Sequence, residues 1–339
     1  MKVYAPLRGR ALAEVPAEAR RAEALGYDGV TLSEVTTDPF LASTLAAEHT
    51  RRAKVGTAIA VAFPRSPMIV AYTAWNLQAF SGGRFELGLG TQVKGHNERR
   101  FSVPWTAPGP RIREYVEALR AIWDCWQKGT PLNFQGRHYT FTLMTPEFNP
   151  GPIPTPHIPV FLAAVNPYMA SVAAQVADGV LLHPLMSWKY ITEVVLPAIE
   201  AGARRAGKSL KDIEIAGGGF IVTGATEEEV LHNLEATRRR IAFYASTRTY
   251  KGVMDIHGWG DVTLRLHHLT LQGRWQDLPT LITDQMIEAF CVVGTYDTIL
   301  PRLRERYGGW ASRIALPLPS DESHQDAPLR RLIAGIQSL

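Results

Sequence analysis

Short apolar runs alternate with stretches in which apolar residues return every three or four positions, along almost the whole of this 339-residue chain. Such alternation predicts parallel strands, each followed by a covering helix. The apolar runs place eight strands at residues 3–7, 29–33, 55–61, 85–89, 160–163, 180–182, 213–222 and 314–316. Between them the helix signals are explicit. Pro16 suits a first helical position and Gly26 a C-terminal stop. Ser66-Pro67 supplies an N-cap and a first-turn proline, and Thr226 with Glu229 has the spacing of a capping box. The clearest helix carries Ile112, Tyr115, Val116, Leu119, Ile122, Trp123 and Trp126 on one face, with Arg113, Glu117, Arg120 and Asp124 on the other. Its aromatics are therefore expected in the core, not in a cofactor site.

Eight strand–helix units in a chain of this length predict a (β/α)8 TIM barrel forming one domain over residues 1–339, with a doubly wound sheet as the alternative. Two segments interrupt the rhythm after strands four and seven. Residues 129–159 become proline-rich toward their end, and residues 243–285 are rich in His and Trp. Insertions of this length in a compact domain are usually lids or interface elements.

Composition narrows the class. The chain is 46% hydrophobic and 20% charged, which suits a water-soluble globular protein. The N-terminal segment has neither a signal-peptide core nor a spanning helix, so a cytoplasmic location and no membrane partner are expected. Cys125 and Cys291 lie far apart in apolar context and read as buried thiols rather than a metal motif or a disulfide. The net charge of +4 is spread along the chain without a basic run. A small anionic ligand explains it equally well, and no nucleic-acid partner is expected.

In a TIM barrel the site is built from the segments that follow the strands. Here those are Ser33-Glu34-Val35-Thr36-Thr37-Asp38, Ala58-Ile59-Ala60-Val61 with Phe63-Pro64-Arg65-Ser66-Pro67, Gly90-Thr91-Gln92 with His96-Asn97-Glu98, Ala163-Ala164-Val165-Asn166 and His183-Pro184. Taken with Gly26-Tyr27-Asp28-Gly29, Ser81-Gly82-Gly83-Arg84-Phe85, Ala177-Asp178-Gly179-Val180 and Val293-Gly294-Thr295, they resemble the bacterial luciferase-like monooxygenase superfamily. The match is nearer to its branch dependent on the deazaflavin coenzyme F420. The order and spacing of the motifs carry it, over nearly the whole chain.

The resemblance implies hydride transfer between F420 and a small organic substrate, in a homodimer or higher homo-oligomer. FMN, with oxygen as co-substrate, is the alternative cofactor. It implies a cis peptide at Ala58-Ile59, a bulge there that supports the cofactor ring, and cofactor contacts from Ala60 and His183. Ala163, Ala164, Val165 and Asn166 match the phosphate segment, where relatives carry glycines at the last two positions. Asn166 also reads independently as an N-cap before Pro167, at a helix end suited to an anion. Asn97 and Glu98 match a cofactor-contacting pair. Gly88, Gly90 and Gly95 lack the spacing of a dinucleotide fingerprint.

Glu34 matches an acidic residue facing the ring, but the catalytic histidine that follows it in many relatives is Val35 here. A proton donor or acceptor is therefore sought among Glu34, His96 and His257. A rim ion pair is the alternative for Glu34, and a structural hydrogen bond for each histidine. His267 and His268 are adjacent on a helix and cannot chelate together. Two other readings stay open: a barrel isomerase or lyase acting on phosphorylated substrates, and a non-catalytic deazaflavin-binding protein.

Overall fold

The computed structural model describes residues 1–8, 11–320 and 326–339. Eight parallel strands close on themselves. They are Lys2–Pro6, Gly29–Leu32, Lys54–Thr57, Phe85–Gly90, Val160–Ala164, Gly179–Leu182, Glu214–Ala216 and Arg313–Ala315, numbered one to eight. Strand one pairs with two and eight, and strand three closes the circle on four. With helices between the strands, this is a (β/α)8 barrel; a doubly wound sheet would have left two open edges.

Two strands differ from the sequence expectation. The third is broken: Lys54–Thr57 stays in the barrel wall, and Ala60–Val61 pairs with strand four only after an intervening turn. The seventh stops at Ala216. Its continuation, Phe220–Val222, leaves the barrel and pairs in parallel with Cys291–Val293. Gly217-Gly218-Gly219 makes that exit, with Gly219 at φ +91°, a conformation open mainly to glycine. An apolar run that reads as one long strand thus serves two sheets.

The long helix forms as its pattern predicts, over Pro108–Lys128, with all seven of its apolar face residues buried. Helix Leu196–Arg205 is preceded by a wide, π-helical turn at Ile191–Val195. Pro197 explains it, since its ring nitrogen cannot donate to the preceding turn and its ring crowds the carbonyl there. Residues 129–159 contain a small antiparallel pair, Phe134–Gln135 with Thr140–Phe141. The segment is then strapped to helix Pro67–Phe80, where Trp75 Nε1 donates to the Gly151 carbonyl and Gln78 Nε2 to that of His157. Residues 243–285 form helices Lys251–Asp255 and Gly260–Leu271 and the turn Trp275–Leu281. Among the described residues no helix is long and apolar enough to cross a membrane.

Candidate active site

The C-terminal end of the barrel is organised around the turn that interrupts strand three. The Ala58–Ile59 peptide bond is cis. On one side the turn is held by the strand-two segment: Ala58 N–H donates to the Leu32 carbonyl (2.8 Å), and Glu34 N–H to that of Ile59 (3.2 Å). On the other side it is held by strand four. Thr57 Oγ1 donates to the Gly88 carbonyl at 2.7 Å and accepts the Gly88 N–H at 2.9 Å, while Ala62 N–H reaches the Gly90 carbonyl. Glycine permits this approach. A Cβ on Gly88 would lie 1.9 Å from the Thr57 carbonyl oxygen, and one on Gly90 would lie 2.8 Å from Ile59 Cδ1 and 3.6 Å from Ala163 Cβ. Ile59, Gly90 and Ala163 are therefore neighbours, and three strand ends meet there.

Glu34 lies beside this turn, but not as a free acid–base group. Its Oε2 accepts the Val61 N–H at 2.7 Å and the Arg65 Nη1 at 2.8 Å, and its side chain is only 9% exposed. Arg65 also binds Asp38 through Nη2 (2.8 Å), and Asp38 Oδ1 caps helix Pro39–Glu48. Burial works against the Arg65 charge, yet the bonds to Asp38 and Glu34 outweigh it and hold the guanidinium above its ordinary pKa. The rim ion pair is the arrangement found.

Two residues beyond strand four lies Gln92, held at φ +57°, whose Oε1 accepts the Val93 N–H. A short helix, Lys94–Arg99, follows. Asn97 is fully buried on it, its Nδ2 donating to the Thr91 and Val93 carbonyls, while its Oδ1 is buried with no partner. Such an orphan acceptor is rare in a purely structural asparagine. His96, one residue earlier, is exposed. After strand five, Asn166 Oδ1 caps helix Pro167–Val176 by accepting the Met169 N–H at 2.8 Å, and the Asn166 carbonyl takes that of Ala170. Pro167 has no N–H. The first turn therefore offers an anion the Tyr168 amide, not the row of donors expected from the sequence.

His183 follows strand six. Its Nδ1 accepts the Leu185 N–H at 3.0 Å, which leaves the ring proton on Nε2. Tyr244 meets its ring edge-on at 4.5 Å and Tyr250 lies tilted against it at 4.6 Å, both from the helical segment after strand seven. Burial, with Arg240 as a lesser cause, pushes its pKa down to about 3. His183 is thus a neutral donor across the working pH range. His257 lies elsewhere, stacked on Trp259 with Nε2 2.7 Å from Ser187 Oγ. That pair borders a cleft of about 560 Å³, lined also by Lys189, Cys291, Arg302 and Arg306 and by none of the strand-three turn. Burial and then Lys189 lower the His257 pKa.

Glu34, Ala58, Ile59, Ala60, Asn97, Ala163 and Asn166 thus gather on strand ends two to five. His96 stays on the surface and His257 belongs to a separate cleft. The residues that sequence reasoning left without a role are Arg65, Asp38, Tyr244 and Tyr250. Only Asp38 carried a signal, as a capping residue before a proline.

The luciferase-like monooxygenase family model matches residues 3–313. An uncharacterized protein of Mycobacterium tuberculosis is 49% identical over 293 residues, 86% of each chain. The 5,10-methylenetetrahydromethanopterin reductase of Archaeoglobus fulgidus is 28% identical over 77% of this chain and 76% of its own. Among solved structures, the coenzyme F420 dependent tetrahydromethanopterin reductase of Methanopyrus kandleri superposes with a TM-score of 0.78, covering 98% of this chain and 97% of that one at 21% identity.

Proposed function

The chain belongs to the luciferase-like monooxygenase family, and from that premise we propose that it is an oxidoreductase using coenzyme F420 to exchange hydride with a small organic substrate. The meeting of Ile59, Gly90 and Ala163 at the barrel mouth carries this reading. Ala58, Ile59 and Ala163 are half-buried at the mouth with Ala60 and Ala164 buried behind them, and the orphaned Asn97 Oδ1 lies in the adjoining loop. These features fit the cofactor. Ala58, Ile59, Ala60 and Asn97 would hold its ring, and the Ala163–Asn166 segment its phosphate. When bound, F420 supplies a hydride donor or acceptor at one ring carbon. The name of the Methanopyrus kandleri reductase, which specifies coenzyme F420, supports this cofactor over FMN.

The protein's own part is to orient and to hydrogen-bond. The turn at Ala58–Ile59 is held by Glu34 and strand four, so the ring meets a surface fixed before binding. His183 offers a neutral Nε2–H whose tautomer is already chosen by Leu185. Such a donor can hold a carbonyl oxygen without bringing a charge into the mouth. Glu34, engaged by Val61 and Arg65, positions the turn.

Titration of the purified protein with F420 and with FMN under identical conditions tests the assignment. Saturable binding of F420, at least about tenfold tighter than FMN, is the expected result. Equal or tighter binding of FMN would move the protein to the flavin-dependent side of the family. Binding of neither would leave the isomerase or lyase reading.

A further inference from the structure

Arg65 stands where the segments after strands two and three meet, on one side of the strand-three turn. Its Nη1 donates to Glu34 Oε2 at 2.8 Å and to the Val61 carbonyl at 3.0 Å, and its Nη2 to Asp38 Oδ2 at 2.8 Å. Its own carbonyl accepts the Tyr115 hydroxyl proton at 3.0 Å, from the long helix after strand four. The guanidinium lies 5.5 Å from the centre of the Phe40 ring, on the helix that Asp38 caps. One side chain thus joins the segments after strands two and three and the N-terminus of helix Pro39–Glu48. A planar fork with fixed donors can do this, whereas a lysine ammonium reaches one carboxylate well and the other poorly.

The carboxylate of Glu34 that Arg65 grips is the same one that accepts the Val61 N–H, two residues beyond the cis peptide. If Arg65 is removed, Glu34 keeps one donor, and its direction is no longer fixed by a second. Asp38 keeps its capping bonds through the other oxygen. The helix should therefore survive the loss, while the turn loses its registration against strand two.

We propose that Arg65 is a positioning residue for the cofactor: by pinning Glu34 and Asp38 together it holds residues 58–61 in their binding-ready shape before any ligand arrives. This inference rests on the F420 reading for its ligand, but its structural half does not.

The test uses the full-length protein with Arg65→Met and Arg65→Lys. In the cofactor-free protein, amide hydrogen exchange should quicken by about tenfold or more in peptides covering residues 34–40 and 58–63 of Arg65→Met, and stay unchanged over strand six. Its dissociation constant for F420 should rise by about tenfold, with Arg65→Lys in between. Unchanged exchange at residues 58–63 and an affinity within about twofold of wild type would overturn the proposal. So would uniform loss of protection over the whole barrel, which would make Arg65 an ordinary stabilising residue. If the wild type binds no F420, the cofactor reading fails, and the exchange measurement still decides whether Arg65 holds the turn. Should Arg65→Met not fold, Asp38→Asn takes its place, because asparagine keeps the cap and removes half of the pin. Local quickening in that variant supports the proposal, and its absence overturns it.

Discussion

At the scale of single residues, His183 shows how surroundings decide a group's chemistry. Imidazole ordinarily titrates near pH 6.5, but burial against Tyr244 and Tyr250 with Arg240 nearby pushes this one down to about 3. In the unfolded chain the same ring protonates as pH falls through 6.5. Between pH 6.5 and 3 the unfolded state then binds more protons at this position, so stability must fall as pH falls. Urea unfolding at pH 7 and pH 4.5 should show a smaller loss for His183→Gln than for wild type. An identical loss in both would mean that the native ring protonates freely. The Glu34 carboxylate carries the complementary lesson. Its place after strand two was legible in the sequence, but its partner Arg65, 31 residues away, was not, because an ion pair across two loops leaves no periodic trace.

At the scale of elements, strand four is a run of six buried residues, Phe85–Gly90, in which two glycines do different work. The Cβ that Gly88→Ala would add meets the Thr57 carbonyl oxygen at 1.9 Å, a backbone atom that cannot turn aside. The Cβ at Gly90 meets the far end of the Ile59 side chain at 2.8 Å, which can rotate. Gly88→Ala should therefore cost about 3 kcal/mol or more, since strands three and four must separate. Gly90→Ala should cost about 1 kcal/mol or less and act mainly on ligand binding, by displacing Ile59. Denaturant unfolding of the two variants checks the contrast; equal losses would show that the strand spacing adjusts freely.

At the scale of the whole molecule, the barrel interior toward the N-terminal end of its strands is filled by a buried polar group as well as by aliphatics. Arg313, on strand eight, lies 3.8 Å from the centre of the Phe161 ring and 4.5 Å from that of Tyr4. It donates to Glu86 Oε2 at 2.5 Å, and Glu86 Oε1 accepts the Tyr4 hydroxyl proton at 3.0 Å. Strands one, four, five and eight are thereby tied across the barrel. Arg313→Met leaves Glu86 as an uncompensated buried charge and should cost about 3–5 kcal/mol in urea unfolding. Adding Glu86→Gln to that variant should recover much of the loss. A double variant no more stable than the single one would show that the guanidinium stabilises through the rings or through Glu214, whose Oε1 lies 3.6 Å from its Nε, rather than through Glu86.

Strand and helix identity were legible along the chain because they depend on local periodicity, on capping residues such as Ser66 and Thr226, and on prolines at helix starts. The family pattern, spread over many short motifs, was legible for the same reason. The closed barrel was expected from eight strand–helix units and is found, whereas the exit of Phe220–Val222 to pair with Cys291–Val293 and the pinning of Glu34 by Arg65 were decided only by the tertiary structure. Each depends on contacts between residues distant in the chain, where pairing is chosen by shape and charge complementarity once the elements pack. His183 and His257 mark that division. In sequence one follows strand six and the other lies in the insertion after strand seven, but only the fold gives His183 a fixed tautomer beside two tyrosines and sends His257 to a separate cleft beside Ser187.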